Sequence, residues 1–257
     1  MDASGGDEAL PESPTPIMWS RVRPMMPFDI VVARYTEDVM WMAPFTPYVV
    51  IVNKGPAPPD PLPAPAPTVV SAPNVGREGH TYYRYICDNY DHLPEHVVFV
   101  QGHPFDHSPH IVMMLRLFLA APPSHRASLD FALLSATVLP CRLSGCDYHP
   151  HLPLADVYRT LFDHEGPQEL DFYFGAGAQF VVSRRRILQR PKAFYERIVA
   201  LLERKTNPIE GFVIERMHGL IFSAEDEKRG FADTSAVAAQ VRACAPRPVE
   251  RLNKKKD

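Results

Sequence analysis

Arg34, Glu37 and Asp38 follow directly on one β-branched run, and Gln101, His103, Asp106 and His107 follow on a second, Val97-Val98-Phe99-Val100. Carboxylates, imidazoles and amides at such places are the groups that move protons and orient polar substrates. Between the two clusters, Arg77-Glu78-Gly79-His80 sits at a predicted helix start. Helix N-termini favour anionic groups, so this loop can seat a phosphate or carboxylate with Arg77 assisting. Farther along, Glu215-Arg216-x-His218 places Glu215 and His218 on one helix face, where they can supply a general base. Taken alone, each of these residues has an ordinary structural job, as a helix cap or one half of a salt bridge. Their convergence gives them weight, because ligands of open α/β sheets bind beyond the carboxyl ends of the strands.

Other chemistries read less well. Cys141, Cys146, His149 and His151 fall within eleven residues, but four residues separate the cysteines and one separates the histidines. Structural zinc sites use tighter cysteine pairs and histidines three to five apart, so no metal is expected. There is no phosphate-binding P-loop, no Gly-x-Ser-x-Gly elbow and no His-Glu-x-x-His helix. Ser183 follows a strand and precedes Arg184, which suits a helix N-cap better than a nucleophile.

The elements that must position these groups alternate. Phe28–Arg34 and Tyr48–Asn53 read as buried strands flanking a short helix around Trp41, which Thr36 or Asp38 can cap and which ends near Pro44. Pro56 to Pro67 holds seven prolines in twelve residues, and we expect a loop over 55–73. A helix is expected over His80–Asn89, a strand at Val97–Val100 and a helix over His110–Leu119. The stretch from Pro122 to Pro167 is the hardest to read, with a strand within Leu129–Val138 and a helix over Leu154–Phe162. Strands at Phe172–Phe174 and Ala178–Ser183 come next. Helices over Arg184–Gln189, Lys192–Lys205 and Ile209–Phe222 complete the pattern. The alternation predicts a single-domain three-layer α/β sandwich over residues 28–245, with a largely parallel central sheet and a right-handed crossover after its first strand.

Composition sets the outer bounds. The chain has 257 residues, 46% hydrophobic and 22% charged, enough for one substantial core. Residues 1–27 are acidic and rich in proline, and read as disordered. The first 20 residues carry no Lys or Arg, the wrong charge for a secretory or mitochondrial leader, and no apolar run approaches the ~20 residues a bilayer span needs. A cytoplasmic location, without membrane or stable protein partner, is the expectation. Four scattered cysteines point to thiols rather than a disulfide framework. The net charge is −3, yet residues 184–205 carry eight Lys or Arg against two Glu, and a basic tail closes the chain over 246–257. A phosphate-rich partner has a local basic face available.

Several of these segments, in order, resemble a fungal-rich family long known only as a domain of unknown function. They are Val32-Ala33-Arg34-Tyr35-Thr36-Glu37-Asp38 with Trp41, Asn53-Lys54-Gly55, Asn74 through Tyr82, Val98 through His107, and Gly177-Ala178-Gln179-Phe180-Val181-Val182-Ser183. The resemblance covers roughly residues 28–225. The family is similar to the group of arginine-containing cyclodipeptide synthases, which join arginine from arginyl-tRNA to a second aminoacyl-tRNA and release a cyclo-Arg-Xaa diketopiperazine. Its layout also resembles GT-A glycosyltransferases, a Rossmann-like fold, so transfer from a sugar nucleotide is the alternative activity.

The resemblance implies a transferase with no cofactor. Taken with the clusters above, Glu78, His80, Asp106 and Glu215 are the candidate catalytic residues, and Arg34, Glu37, Asp38, Arg77, Gln101, His103 and Gln179 the candidate substrate-binding residues. Arg184, Arg185, Arg186, Arg190 and Lys192 would then face tRNA. A metal-dependent GT-A enzyme needs Asp-x-Asp at the end of a central strand, where this chain has Gln101-Gly102-His103-Pro104-Phe105-Asp106. Aminoacyl esters are already activated and need no metal. They need a base for the incoming α-amine, stabilisation of the oxyanion and a positive surface for tRNA. An arginyl guanidinium needs a carboxylate, for which Glu37, Asp38, Glu78, Asp106 and Glu215 are candidates. Ser183 and Cys87 are the candidate nucleophiles if an aminoacyl-enzyme forms, and His80, His103 or His107 can handle protons.

Overall fold

A computed structural model of the chain describes residues 26–57, 62, 64–147, 149–162 and 169–223. The disordered segment and basic tail expected from the sequence lie almost wholly outside these residues, as does Cys244.

Among the described residues, eight strands form two sheets. The larger has the order β3-β2-β1-β4-β8-β5, from β1 (Phe28–Arg34), β2 (Val49–Asn53), β3 (Thr68–Ser71), β4 (His96–Gln101), β5 (Phe131–Leu133) and β8 (Phe180–Ser183). β3, β2, β1 and β4 run parallel, and β8 is antiparallel to both β4 and β5. β6 (Val138–Arg142) and β7 (Asp171–Gly175) make a separate antiparallel pair. This is the mixed, mostly parallel Rossmann-like α/β arrangement that the alternation of elements predicts.

Period-two alternation sorts the strand residues onto two faces. Val31, Val50, Val52, Val97, Phe99, Phe180 and Val182 enter one core, which α1 (Arg77–Asn89), α4 (Leu154–Phe162), α6 (Lys192–Leu202) and α7 (Ile209–Phe222) cover. Ile30, Val32, Val49, Ile51, Val98, Val100 and Val181 enter the other, covered by α2 (Ile111–Ala120) and by Met42 and Phe45 of a 3-10 helix over Met40–Tyr48. Strands buried on both faces read as continuous apolar runs, which is why β1, β2 and β4 were legible.

Four expectations are corrected. The short helix around Trp41 is 3-10, with Pro44 and Pro47 inside it, and runs on to Tyr48. Pro44 and Pro47 supply no N–H to an α-helical ladder. The expected loop over 55–73 contains β3, whose Thr68–Ser71 pair with Val50–Asn53 at the sheet edge. The single strand expected within Leu129–Val138 is instead β5 and the start of β6, which belong to different sheets. The described residues also form two short helices, α3 (Pro123–Ala127) and α5 (Arg184–Ile187), and α1 begins at Arg77 rather than His80.

Candidate active site

From β1 the chain moves outward to β2 and β3, then returns past β1 to β4, so β1 and β4 flank the point where the strand order reverses. Ala33 pairs with Gln101 at this rim. A cleft of about 340 Å³ opens beyond it, lined by Ala33, Arg34, Tyr35, Glu37, Lys54, Asn74, Arg77, Glu78, Gln101 and His103. Four segments separated in sequence thus meet at the carboxyl ends of parallel strands.

The wall built by β1 and β2 is a hydrogen-bond network. Buried Arg34 donates Nη1 to Asn53 Oδ1 at 2.6 Å, to the Tyr35 carbonyl at 3.1 Å and to the Pro56 carbonyl at 2.8 Å, and Nε to the Glu37 carbonyl at 3.0 Å. Asn53 Nδ2 in turn donates to the carbonyls of Gly55 and Pro56. Arg34, expected to bind substrate, is occupied in shaping the two strand exits. Glu37 Oε2 accepts the Tyr35 N–H at 2.6 Å, and a Cβ at Gly102 would come within 2.8 Å of that same oxygen. Glycine at 102 lets the carboxylate lie between the exits of β1 and β4. Asp38 is exposed and accepts the Met40 N–H at 2.8 Å, so it caps the 3-10 helix outside the cleft.

The opposite wall is the entry of α1. Gly76 and Arg77 both have left-handed backbones, φ 63° and 53°. That geometry is free for glycine but strained for arginine. The turn is held from outside: the Gly76 N–H donates to the Lys205 carbonyl at 2.8 Å and the Arg77 N–H to the Thr206 carbonyl at 3.3 Å. The Arg77 guanidinium lies 4.1 Å over the Phe212 ring and donates to Asn207 Oδ1. Its Nε is 3.7 Å from Glu78 Oε2.

Lys54 joins the walls. Nζ donates to the Val75 carbonyl at 2.6 Å and to the Arg77 carbonyl at 2.5 Å. Burial pulls its pKa down to about 7, against the opposing pull of the Glu78 carboxylate. A neutral amine has two hydrogens, both taken by these carbonyls, and keeps a lone pair that can accept a proton. Burial also raises Glu78, and the Glu215 charge adds to this, while Arg77 and Lys54 work against it. Glu215, on α7, accepts the Gly177 N–H at 2.8 Å through Oε1 and lies 3.4 Å from Arg216 Nη1 through Oε2. Gly177 has φ 84°, and a Cβ there would strike His107 at 2.6 Å.

Among the expected site residues, Arg34, Glu37, Arg77, Glu78, Gln101 and His103 line the cleft, and Glu215 lies within electrostatic reach of Glu78. Asp106 does not line it; its side chain is 80% exposed and 3.8 Å from His103 Nε2. His80 is buried in α1 with its pKa pushed down to about 3, chiefly by desolvation, so it stays neutral and carries no proton for the cleft. Gln179 is fully buried, and its amide pairs with Gln101 behind the rim.

Arg184, Arg185, Arg186, Arg190 and Lys192, expected to face tRNA, stand away from the cleft. His96, at the start of β4, pairs with Ser183, and the Arg184 N–H donates to the Glu95 carbonyl, so the run begins at the rim opposite the cleft. There Arg185 and Arg186 pair with Asp130. Arg190 donates to the Leu220 and Ile221 carbonyls and stacks on Phe162 and Phe194, and Lys192 reaches Glu196 at 4.0 Å. α6 then carries the chain back, leaving exposed Arg204 and Lys205 beside the α1 entry. Ser183 caps α5, accepting the Arg186 N–H at 3.1 Å, and donates to Asp130. Cys87 is buried with its thiol pushed up to about 12, so neither expected nucleophile serves this cleft.

The model of the family described as Protein of unknown function (DUF3431) matches residues 30–117 and 146–238. The chain belongs to this family. No curated protein and no solved structure matches it. The first family segment spans β1 through most of α2, and hence every cleft-lining residue; the second carries Glu215 and the α6–α7 connection that braces Arg77. Tyr35, Lys54 and Asn74 line the cleft although the sequence pattern did not single them out; Lys54 is the one with a titratable group at neutral pH. The signal for Lys54 was a lysine directly after a fully buried strand, where a long cation must find acceptors or lose its charge.

Proposed function

We propose that this family member is a tRNA-dependent cyclodipeptide synthase that joins arginine to a second amino acid and releases a cyclo-Arg-Xaa diketopiperazine. The observation that carries the reading is the composition of the cleft, in which the carboxylates of Glu37 and Glu78 line the same space as the Lys54 amine, with Glu215 behind Glu78. A guanidinium needs carboxylates, and an α-ammonium must lose a proton before it attacks an ester. An amine with a pKa of about 7 is matched to that second task at neutral pH.

In this reading the α-amine of one aminoacyl-tRNA attacks the ester carbonyl of the other. Lys54 takes one proton from the ammonium and passes it to solvent. The amine attacks, the amide C–N bond forms, and the ester C–O bond to the first tRNA breaks. Lys54 relays the second proton lost by the nitrogen to the departing ribose oxygen. The amine of the dipeptidyl ester then attacks the remaining ester carbonyl, its nitrogen's lost proton going to the second ribose oxygen. This closes the six-membered ring and releases the second tRNA. Arg77 at the cleft edge supplies positive charge for the developing oxyanion. Exposed Arg204 and Lys205 supply positive charge beside the cleft for the tRNA backbone.

A GT-A-like glycosyltransferase is the second reading. The sheet favours it, since a nucleotide is an ordinary ligand of a topological switch point like the one between β1 and β4. Against it, the end of β4 presents the Gln101 amide tied to Gln179 and no adjacent carboxylate pair. The test is reconstitution with tRNA, arginine, the other amino acids, ATP and synthetases, followed by mass spectrometry. Cyclo-Arg products abolished by RNase support the first reading. Turnover of a nucleotide sugar without such products supports the second.

A further inference from the structure

Tyr35 and His103 are large rings at the cleft mouth, 47% and 55% exposed, and the rest of the structure holds both in place. Each stands two residues beyond the paired Ala33 and Gln101, so they leave adjacent parallel strands at the same level. A Cβ at Gly55 would meet the Tyr35 carbonyl oxygen at 2.1 Å and ring Cδ2 at 2.9 Å, so glycine there lets the tyrosine lie flush against the exit of β2. His103 packs edge-on against Phe105, with centroids 5.3 Å apart, and Phe105 packs edge-on against Trp41 at 5.7 Å. Trp41 Nε1 donates to the Gly102 carbonyl at 2.8 Å, which ties this aromatic file back to the β4 exit. Between the two exits lies Glu37, one carboxylate oxygen fixed by the Tyr35 N–H and the other left to accept.

Exposed aromatic faces beside a fixed hydrogen-bond acceptor are what a nucleobase uses: stacking for affinity, an edge contact for identity. We propose that the mouth of the cleft binds an adenine nucleotide, with the base stacked against Tyr35 and His103 and its exocyclic amino group donating to Glu37. A carboxylate selects a base edge that presents an amino group. It disfavours uracil, whose single N–H on that edge is flanked by two carbonyl oxygens. The inference rests on the synthase reading for the source of the adenine: the 3′-terminal adenosine of a charged tRNA carries the ester and takes Glu37, and the cleft interior, where Glu78 is left to meet the guanidinium, receives the aminoacyl group.

The experiment is equilibrium binding to the full chain of adenosine monophosphate, a cytidine-cytidine-adenosine trinucleotide and uridine monophosphate, with thermal midpoints as the folding control. Saturable binding of the two adenine probes is expected, at least 10-fold tighter than uridine monophosphate. Tyr35→Ala and His103→Ala should each weaken adenine binding by about 5- to 100-fold, from the usual worth of a stacked base. Glu37→Gln should narrow the preference over uridine monophosphate, with midpoints close to wild type. No saturable binding of adenosine monophosphate, equal or tighter binding of uridine monophosphate, or unchanged affinity in both ring variants would overturn the inference. Cyclodipeptide formation with unaltered tRNA affinity in Tyr35→Ala would remove the adenine site and leave the synthase. Adenine binding without any dipeptide product would do the reverse.

Discussion

Lys54 donates Nζ to the Arg77 carbonyl at 2.5 Å, one residue before Glu78, so a lysine at the end of β2 holds both the strained entry of α1 and the first carboxylate of that helix. Amine and carboxyl also tune each other, since Glu78 raises the Lys54 pKa and Lys54 lowers that of Glu78. If Lys54 is the proton acceptor, activity should climb as pH rises through about 7. Glu78→Gln removes the carboxylate that holds Lys54 up, so any residual activity should show this limb at lower pH. Lys54→Met should lower kcat by about 100-fold or more, as expected on loss of a general base. Lys54→Arg, permanently charged, should not restore it. A pH–rate profile of Lys54→Met still rising through neutrality would exclude this role.

Gly76 sits at φ 63° with the Leu202 carbonyl oxygen 2.7 Å and the His80 Cβ 2.6 Å from where its own Cβ would be. The backbone carbonyl has no flexible end to swing aside. Gly76→Ala should therefore cost about 1–3 kcal/mol, a strained backbone plus a steric displacement. Denaturant unfolding reads this directly, and an unchanged midpoint would mean that the α1 entry is not held as described.

Acid should weaken the fold through its buried histidines. Burial takes His80 and His218 from 6.5 down to about 3 in the folded chain. Between those values the unfolded chain binds protons that the folded chain refuses, so stability falls as pH falls from 6.5 toward 3. Each such group steepens the slope by up to about 1.4 kcal/mol per pH unit. Glu78, raised by burial, works in the opposite sense, because its folded form holds a proton above the ordinary carboxylate range. Replacing His80 by Gln should flatten the decline in unfolding free energy between pH 6 and 4. An identical slope would contradict its neutral burial.

Arg190 and the pair Arg204 and Lys205 come from one basic stretch and should behave differently. Arg190→Ala removes donors to the Leu220 and Ile221 carbonyls and a contact with two phenylalanine rings, which should cost about 2–3 kcal/mol. Arg204→Ala with Lys205→Ala should change stability by less than about 0.5 kcal/mol. The pair should nonetheless reduce the salt dependence of tRNA binding by roughly one unit of slope per charge. Equal effects from both sets would place the tRNA surface at the other rim.

The sheet and its rim were legible because β1, β2 and β4 are built on the apolar runs Ile30–Ala33, Val49–Val52 and Val97–Val100, and chemistry gathers at the carboxyl ends of such strands. Thr68–Ser71 was hidden because four residues at a sheet edge cannot outweigh the prolines before them. Asp38 and Asp106 were indistinguishable by type from Glu37 and Glu78. Only the 3-10 helix that takes up Asp38, and the turn that exposes Asp106, separate the structural acids from those in the cleft. The basic stretch lies away from the cleft for a geometric reason: β8 runs against β4, so the chain beyond Ser183 starts out from the far rim. An antiparallel insertion in a parallel sheet leaves no mark on local periodicity.

The most direct measurement supplies purified arginyl-tRNA and a second aminoacyl-tRNA to wild-type protein and to Glu78→Gln, and quantifies cyclo-Arg-Xaa by mass spectrometry. The account predicts product with the wild type, dependent on intact tRNA, and a loss of about 100-fold or more in a Glu78→Gln variant with an unchanged unfolding midpoint. Wild type that releases only free amino acids, or a folded Glu78→Gln that forms product at the wild-type rate, would contradict it.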